Sequence, residues 1–351
     1  MHRGAAVHRG HHLGEDASIP TVNAVAALDG LPVSDPSCLQ DVRVPVPELR
    51  PRDVLVRVHA VSVNPVDVKV RAGLGRQSEP KVLGYDAAGV VEAVGAEVTS
   101  LAVGEEVFYA GDITRSGSNT ELQAVDERIV ARKPTALGFA EAAALPLTSI
   151  TAWEALFDRL RLTAGSRGTL AVLGGAGGVG SMVVQLAKQL TGVRVLAGAG
   201  KPASRAWVED LGADDVIDHH DLVASVRGVA PDGVDHLFSP ASQGNVEAFA
   251  EVVKPFGEIV AIDDPVGLDL VPLKDKSIAW HWELMFTRSL FTTPDLAEQQ
   301  RLLTDVASLV DAGRVRTTAT TVIGDFSAAG LREAHRLVET GRTVGKVVVH
   351  R

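Results

Sequence analysis

An α/β fold is predicted here, a doubly wound parallel sheet joined to a region of short strands, and three observations predict it. The apolar run Thr169-Leu170-Ala171-Val172-Leu173 leads straight into Gly174-Gly175-Ala176-Gly177-Gly178-Val179-Gly180, and a helical pattern follows. Beyond it, strand-like and helix-like segments alternate at lengths that suit the crossover units of a parallel sheet. Before it, from Val22 to about Val130, the chain falls into short apolar runs broken by turn residues, the mark of an all-β region.

Read as G-x-G-x-x-G, the glycine stretch assigns Gly175 to a tight strand-to-helix turn, Gly177 to close approach by a pyrophosphate and Gly180 to helix–strand packing. Val179, Met182, Val183, Leu186, Ala187 and Leu190 recur at helical spacing, so the helix start, with its free N–H groups and partial positive charge, faces the turn. Gly175, Gly177, Gly178, Val179 and Gly180 are thus the candidate dinucleotide cradle. The bland alternative is a flexible loop, which the preceding strand and following helix disfavour.

The chain has 351 residues, 46% of them hydrophobic, enough for a large core and about two domains. A net charge of -10 without any Lys/Arg cluster argues against nucleic acid or an anionic membrane as partner. The single cysteine, Cys38, excludes an internal disulfide and a thiolate zinc lobe, and fits a reducing cytoplasm. No apolar run has the length of a membrane span, and the N-terminus lacks a signal-peptide layout.

Residues 1–21, with His2, His8, His11 and His12, lack periodicity and are expected to form a mobile extension. Strands follow at Asn23 to Leu28, Asp53 to Val63, Gly89 to Val94, Glu106 to Ala110 and Leu122 to Val125. Helices are expected over Phe139 to Leu145 and Thr148 to Leu160. After the glycine stretch come strand 193–197, helix 203–211, strand 215–218, helix 221–229, strand 234–238, helix 245–254 stopped by Pro255, and strand 258–262. A strand over 276–284 puts Ile278, Trp280, Trp282 and Leu284 on one face. A helix capped by Thr293 with Pro294 at its first position runs to Gly313. Strand 315–322, helix 327–339 and strand 346–350 complete the pattern. These last elements need a partner sheet, which the β-rich region supplies, so the nucleotide domain is expected to be inserted between two halves of a discontinuous one.

The motifs Val63-Asn64-Pro65-Val66-Asp67, Gly84-Tyr85-Asp86-Ala87-Ala88-Gly89-Val90-Val91 and Leu145-Pro146-Leu147-Thr148-Ser149-Ile150-Thr151-Ala152, with the glycine stretch, carry a family resemblance. Over nearly its whole length after residue 21 the chain resembles medium-chain dehydrogenase/reductases, in particular their quinone oxidoreductase (zeta-crystallin-like) branch. Residues 277–288 and 342–349 look closest to zinc-type alcohol-dehydrogenase-like members. The resemblance implies a Rossmann domain over 146–287 inserted in a GroES-like, β-rich catalytic domain over 22–145 and 288–351. It also implies that Thr148 lies near the nicotinamide and that Asn64 hydrogen-bonds near the substrate or that end of the cofactor. Relatives dimerise through the last Rossmann strand, which implies a homodimer here.

Zinc-dependent relatives carry a cysteine before their first catalytic helix and a histidine in a Gly-His-Glu motif. Here those places fall to Asn64 or its neighbours and to Tyr85, so no metal ligands are assigned. His59, His219, His220, His236 and His281 are scattered and read as ordinary surface or packing histidines. Where many quinone reductases have a tyrosine five residues beyond the asparagine, this chain has Lys69, either a cation for a developing oxyanion or a solvated surface lysine. Some 20 residues past the glycine motif, where an acid selects NAD, stand Ala197-Gly198-Ala199-Gly200-Lys201, then Ser204 and Arg205, a set that suits the 2′-phosphate of NADPH. The expected activity is NADPH-dependent reduction of a quinone or α,β-unsaturated carbonyl. The competing readings are a zinc-dependent alcohol dehydrogenase and an NADPH-binding protein without turnover.

Overall fold

The computed structural model describes residues 20–351. The expected extension therefore lies outside the described residues except for Pro20 and Thr21, and Thr21 already opens the first strand, opposite Pro45. In β1 (Thr21–Ala27) and β2 (Gln40–Pro45) the chain makes an antiparallel pair. The apolar-run reading omits β2 because only alternate residues of it are even half-buried. Next, β3 (Asp53–Val63) buries Val54, Val56 and Val58 completely. A further element absent from that reading, α1 (Pro65–Ala72), starts with proline at its first position, and the Asp67 carboxylate accepts from Asn64 N at 2.8 Å. Then come β4 (Lys81–Val82), β5 (Ala87–Val94), β6 (Glu106–Tyr109), β7 (Leu122–Asp126) and β8 (Ala131–Arg132).

After α2 (Phe139–Ala142), α3 (Pro146–Trp153) ends earlier than expected, and Glu154–Arg159 continues it as a wider π-helical turn. The nucleotide domain runs through β9 (Thr169–Val172), α4 (Gly178–Leu190), β10 (Arg194–Gly198), α5 (Pro202–Asp210), β11 (Asp215–Ile217), α6 (Leu222–Val229), β12 (Val234–Ser239), α7 (Val246–Val252), β13 (Val253–Ala261) and β14 (Ala279–Trp282). All six strands are parallel, in the order β11-β10-β9-β12-β13-β14, which counted from β9 is the 3-2-1-4-5-6 order of a dinucleotide fold. On α4 the predicted face holds: Met182, Val183, Leu186 and Ala187 are fully buried. Each of the larger three contributes about 1.5–3 kcal/mol to the packing of helix on sheet.

Finally α8 (Thr287–Leu290), α9 (Glu298–Asp311), β15 (Ala319–Ile323), α10 (Ala328–Glu339) and β16 (Lys346–His350) return to the first region. There β16 lies between β15 and β3 in a sheet ordered β15-β16-β3-β5-β6-β8, with β7 also on β3. One apolar cluster crosses the seam, holding Tyr85 and Phe108 together with Leu147, Ile150, Leu170 and Val172.

Four boundaries differ from expectation for identifiable reasons. Pro255 does not stop a helix but lies inside β13, where a register break between Val234 and His236 and a left-handed Phe256 (φ 63°) accommodate it. Thr293 and Pro294 do not start α9. The chain makes tight turns there, Leu296 N to Thr293 O and Glu298 N to Asp295 O, while Arg288 holds the Asp295 carboxylate at 3.1 Å. The strand at 315 begins only at Ala319, because the Gln185 side chain on α4 bonds both backbone groups of Arg316. The long strand over 276–284 shrinks to β14, since Ser277 is left-handed (φ 51°) and breaks the run.

Candidate active site at the seam of the two domains

Two constructions meet where β16 passes the glycine turn. The first is backbone. Gly175 N donates to Gly198 O, Gly177 N to Gly174 O, and α4 opens at Gly178, so the N–H groups of Gly178, Val179 and Gly180 have no intrahelical acceptor. A side chain would fill this cradle. A β-carbon on Gly175 would lie 3.0 Å from Ala197 Cβ, one on Gly178 would lie 2.7 Å from Lys346 Cδ and 3.1 Å from Thr148 Cγ2, and one on Gly180 would collide with the Gly174 carbonyl. The residues present thus fit a dinucleotide, with its pyrophosphate at the helix start.

The second construction is a knot of buried side chains. Asp86, wholly buried at the head of β5, accepts Leu147 N on one carboxylate oxygen (2.7 Å) and Ser62 Oγ (2.8 Å), Asn64 Nδ2 (2.8 Å) and Lys346 Nζ (3.1 Å) on the other. Lys346, 4% exposed, also donates to Asn64 Oδ1 and to Val63 O (3.3 Å). Burial pushes the Asp86 carboxyl up, and the Lys346 ammonium with these donors pulls it back. Just before Lys346, Gly345 N donates to Ala176 O (2.8 Å), and Gly345 bridges to Gly177 in parallel. The knot is thereby fastened to the cradle.

Tyr85, fully buried, stands its ring edge-on to Phe286 (centroids 5.5 Å apart), and its hydroxyl has no partner among the described residues. Asp67 is equally buried. One of its oxygens takes Asn64 N and the other has no partner, and burial raises its carboxyl to about 7.

The residues nominated from sequence divide accordingly. Asn64, Thr148 and the five cradle residues come together at the seam. The Asn64 amide, however, is spent on Asp86 and Lys346, and Thr148 Oγ1 donates to Leu145 O at 3.1 Å. Lys69 stands apart: exposed, it pairs with Asp264 at 2.7 Å. At the far end Lys201 is exposed at the start of α5, Ser204 Oγ bonds the Lys201 backbone (3.1 and 2.9 Å), and Arg205 is half-buried one residue on. Sequence reasoning missed Lys346, Asp86 and the Tyr85 hydroxyl as site groups. A signal was present, since Lys346 heads a run of three valines and Asp86 heads Ala-Ala-Gly-Val-Val, two opposite charges on strands that must be buried.

A catalytic zinc does not fit this seam. It needs about three imidazole, thiolate or carboxylate donors around an open position. Here the donors are an amide, a phenol and one free oxygen of Asp67, with no imidazole or thiolate among them, and the buried carboxylate Asp86 already holds an ammonium. Among the described residues, the one group of three His, Cys, Asp or Glu with donor atoms within 4.8 Å of one another is Asp218, His219 and His220, at the tip of β11. His59 stacks on Phe139, and His236 and His281 each stand 3.8 Å from Glu258, with burial lowering both.

A dinucleotide sheet inserted in a β-rich domain, with its cradle facing a buried polar knot, defines the architecture of a pyridine-nucleotide oxidoreductase. The family described as alcohol dehydrogenase GroES-like domain matches residues 50–152, and that described as zinc-binding dehydrogenase matches 211–349. A zinc-type alcohol dehydrogenase-like protein of Staphylococcus aureus (strain MSSA476) is 39% identical over 318 residues, 88% of this chain and 93% of that protein. The chloroplastic NADPH-dependent alkenal/one oxidoreductase of Arabidopsis thaliana is 33% identical over 87% of this chain and 74% of its own length. A crystal structure from Rhizobium etli CFN 42, provisionally named a zinc-dependent alcohol dehydrogenase, superposes with a TM-score of 0.90 at 47% identity, covering 94% of this chain and 98% of that one. The chain belongs to the medium-chain dehydrogenase/reductase superfamily. No helix among the described residues is long and apolar enough to cross a membrane.

Proposed function

We propose that the protein reduces an α,β-unsaturated carbonyl or a quinone with NADPH and without a metal. The observation that carries this reading is the Asp86–Lys346 pair, which fills the seam with a bound ammonium where a Lewis acid would need ligands. Oxidising a plain alcohol requires a group that holds alkoxide charge. A conjugated carbonyl or quinone is electron-poor already and needs only hydride and a proton. NADPH, when bound, supplies that hydride.

The residues' own work is positional. Gly178, Val179 and Gly180 present N–H groups to the pyrophosphate, Thr148 packs beside Gly178, and Asn64 holds Lys346 and Asp86 in register so that the nicotinamide end has a fixed wall. At the other end β10 carries no acid at its tip, and the cations Lys201 and Arg205 at the start of α5 support a 2′-phosphate there. The Arabidopsis relative, named NADPH-dependent, supports the same choice.

Cofactor consumption across enones, quinones and primary alcohols, with NADPH and NADH, tests this. Enone or quinone reduction with NADPH preferred is expected, and Lys201→Ala with Arg205→Ala narrows the preference. Alcohol oxidation, with one zinc per chain by elemental analysis that is lost together with activity, overturns it in favour of the zinc enzyme. The names of the second family and of the Rhizobium structure favour that alternative.

A further inference from the structure

We propose that the Tyr85 hydroxyl donates the hydrogen bond that stabilises the substrate's oxygen as hydride arrives. The proposal rests on the reaction proposed above and names the group that receives the developing charge.

Neither Lys346 nor the three side chains nominated from sequence, Asn64, Thr148 and Lys69, is free for this task. Lys346 spends its three N–H bonds on Val63 O, Asn64 Oδ1 and Asp86 Oδ2. Asn64 Nδ2 is on Asp86, Thr148 Oγ1 is on Leu145 O, and Lys69 is on Asp264 at the surface. The Tyr85 hydroxyl is buried without a partner. A buried phenol without a partner costs free energy until something accepts its hydrogen bond, so its preferred visitor carries an acceptor oxygen.

Its place suits a substrate. Tyr85 immediately precedes Asp86, and Asn64 Nδ2 approaches the Tyr85 carbonyl at 3.5 Å, so its backbone adjoins the knot. Its ring leans on Phe286, just beyond the last nucleotide-domain strand, while the Asp67 and Asp112 carboxylates bear on the hydroxyl from α1 and from the turn after β6. Tyr85 thus stands between the segment that follows β14, which it touches at Phe286, and the turn that carries Asp112. Burial, with those two acids, makes the phenol a weaker acid than an ordinary tyrosine, so the group stays a donor at neutral pH.

The step balances with water as the only co-reactant besides the reduced nicotinamide. Hydride bonds to the β-carbon, the alkene electrons shift to make an enolate oxygen, and the α-carbon then takes a proton from water. With a quinone, the oxygen itself takes that proton. Tyr85 keeps its own proton throughout, and its hydrogen bond shortens as the oxygen gains charge.

The test uses the full chain loaded with NADP+ and 4-nitrophenol as the probe, because the phenolate mimics the enolate oxygen and absorbs apart from the phenol. The unaltered protein should bind the probe as phenolate at a pH where the free probe is largely phenol. Tyr85→Phe keeps the ring on Phe286 and should weaken phenolate binding at least about tenfold and lower kcat/KM for an enone by about 10²-fold, as for loss of one oxyanion donor. NADPH affinity should stay within about twofold, since Tyr85 does not line the glycine cradle. Unchanged probe binding and turnover in Tyr85→Phe would reduce Tyr85 to a packing residue and overturn the proposal. So would loss of the phenolate band in Asn119→Ala alone, which would assign the donor to the neighbouring unpartnered Asn119 amide. If Tyr85→Phe misfolds by near-UV signal, the unaltered protein decides: a bound probe that remains phenol sinks the donor. Phenolate held through Tyr85 with no enone or quinone turned over would retain the donor and refute the reaction. Turnover without phenolate binding would do the reverse.

Discussion

The cradle and the knot sit against each other at one seam and are built by opposite means. The cradle lies within seven consecutive residues, Gly174 to Gly180, and its task is done by backbone N–H groups, so its chemistry is written in spacing. The knot draws Ser62, Asn64, Asp86 and Lys346 from three strands and a helix start, and Lys346 lies 283 positions from Val63, whose carbonyl it bonds. A local device depends on turn geometry. A remote one depends on the whole sheet closing. Substitutions in the two should therefore fail differently, and that difference can be broken or sharpened.

The largest effect belongs to the knot. Lys346→Met removes the ammonium and strands a buried carboxylate, and should lower unfolding free energy in urea by about 3–5 kcal/mol, the usual range for breaking one side of a buried pair. The double substitution with Asp86→Asn should recover much of it. A single substitution within about 0.5 kcal/mol of the parent would mean that the knot is ornamental to the fold.

Next is Asp67, beside the knot, where the sign depends on pH. Its carboxyl is raised to about 7 in the fold, whereas an unfolded aspartate titrates near about 3.9. Between these values the unfolded chain ionises and the folded chain does not, so Asp67 costs stability increasingly as pH rises through that window, with the full cost above about 7. Asp67→Asn should thus gain on the parent from pH 4 to pH 8, by at most about 4 kcal/mol. A pH-independent difference in urea midpoints would show that Asp67 is ionised in the fold.

The smallest fold effect belongs to the cradle. Gly180→Ala drives a methyl group against the Gly174 carbonyl, which helix and strand can relieve only by separating slightly. A stability loss of about 1–3 kcal/mol is expected, the range for overpacking. NADPH affinity by fluorescence titration should fall more than tenfold. Full affinity would mean that the turn has slack that its glycines do not advertise.

These contrasts explain how much of the molecule was legible beforehand. Strand–helix alternation, the glycine turn and the face of α4 follow local rules, and the strands Asp53–Val63 and Lys346–His350 were readable to the residue. Two of the four boundary errors came from side chains reaching in from elsewhere, Gln185 pulling Arg316 out of β15 and Arg288 holding Asp295 ahead of α9, and the other two from left-handed backbone at Phe256 and Ser277. The same blindness hid the site chemistry. Asn64 was recognisable by its motif, yet its amide faces Lys346, and Lys69 one turn further on is an exposed partner of Asp264. No spacing rule reveals that Tyr85 ends without a hydrogen-bond partner.

The position of β16 between β15 and β3 has a consequence for how the protein is born. The six strands of the nucleotide sheet are contiguous in the chain and can pair while synthesis is under way, each with neighbours already made. Across the same interval β3 waits with a bare edge, Ala60 to Val63, for partners that follow the entire nucleotide domain. An unpaired, apolar strand edge is a template for pairing between chains. The first-made part of this protein is thus the last to close, and the growing chain needs shelter there rather than at its glycine turn.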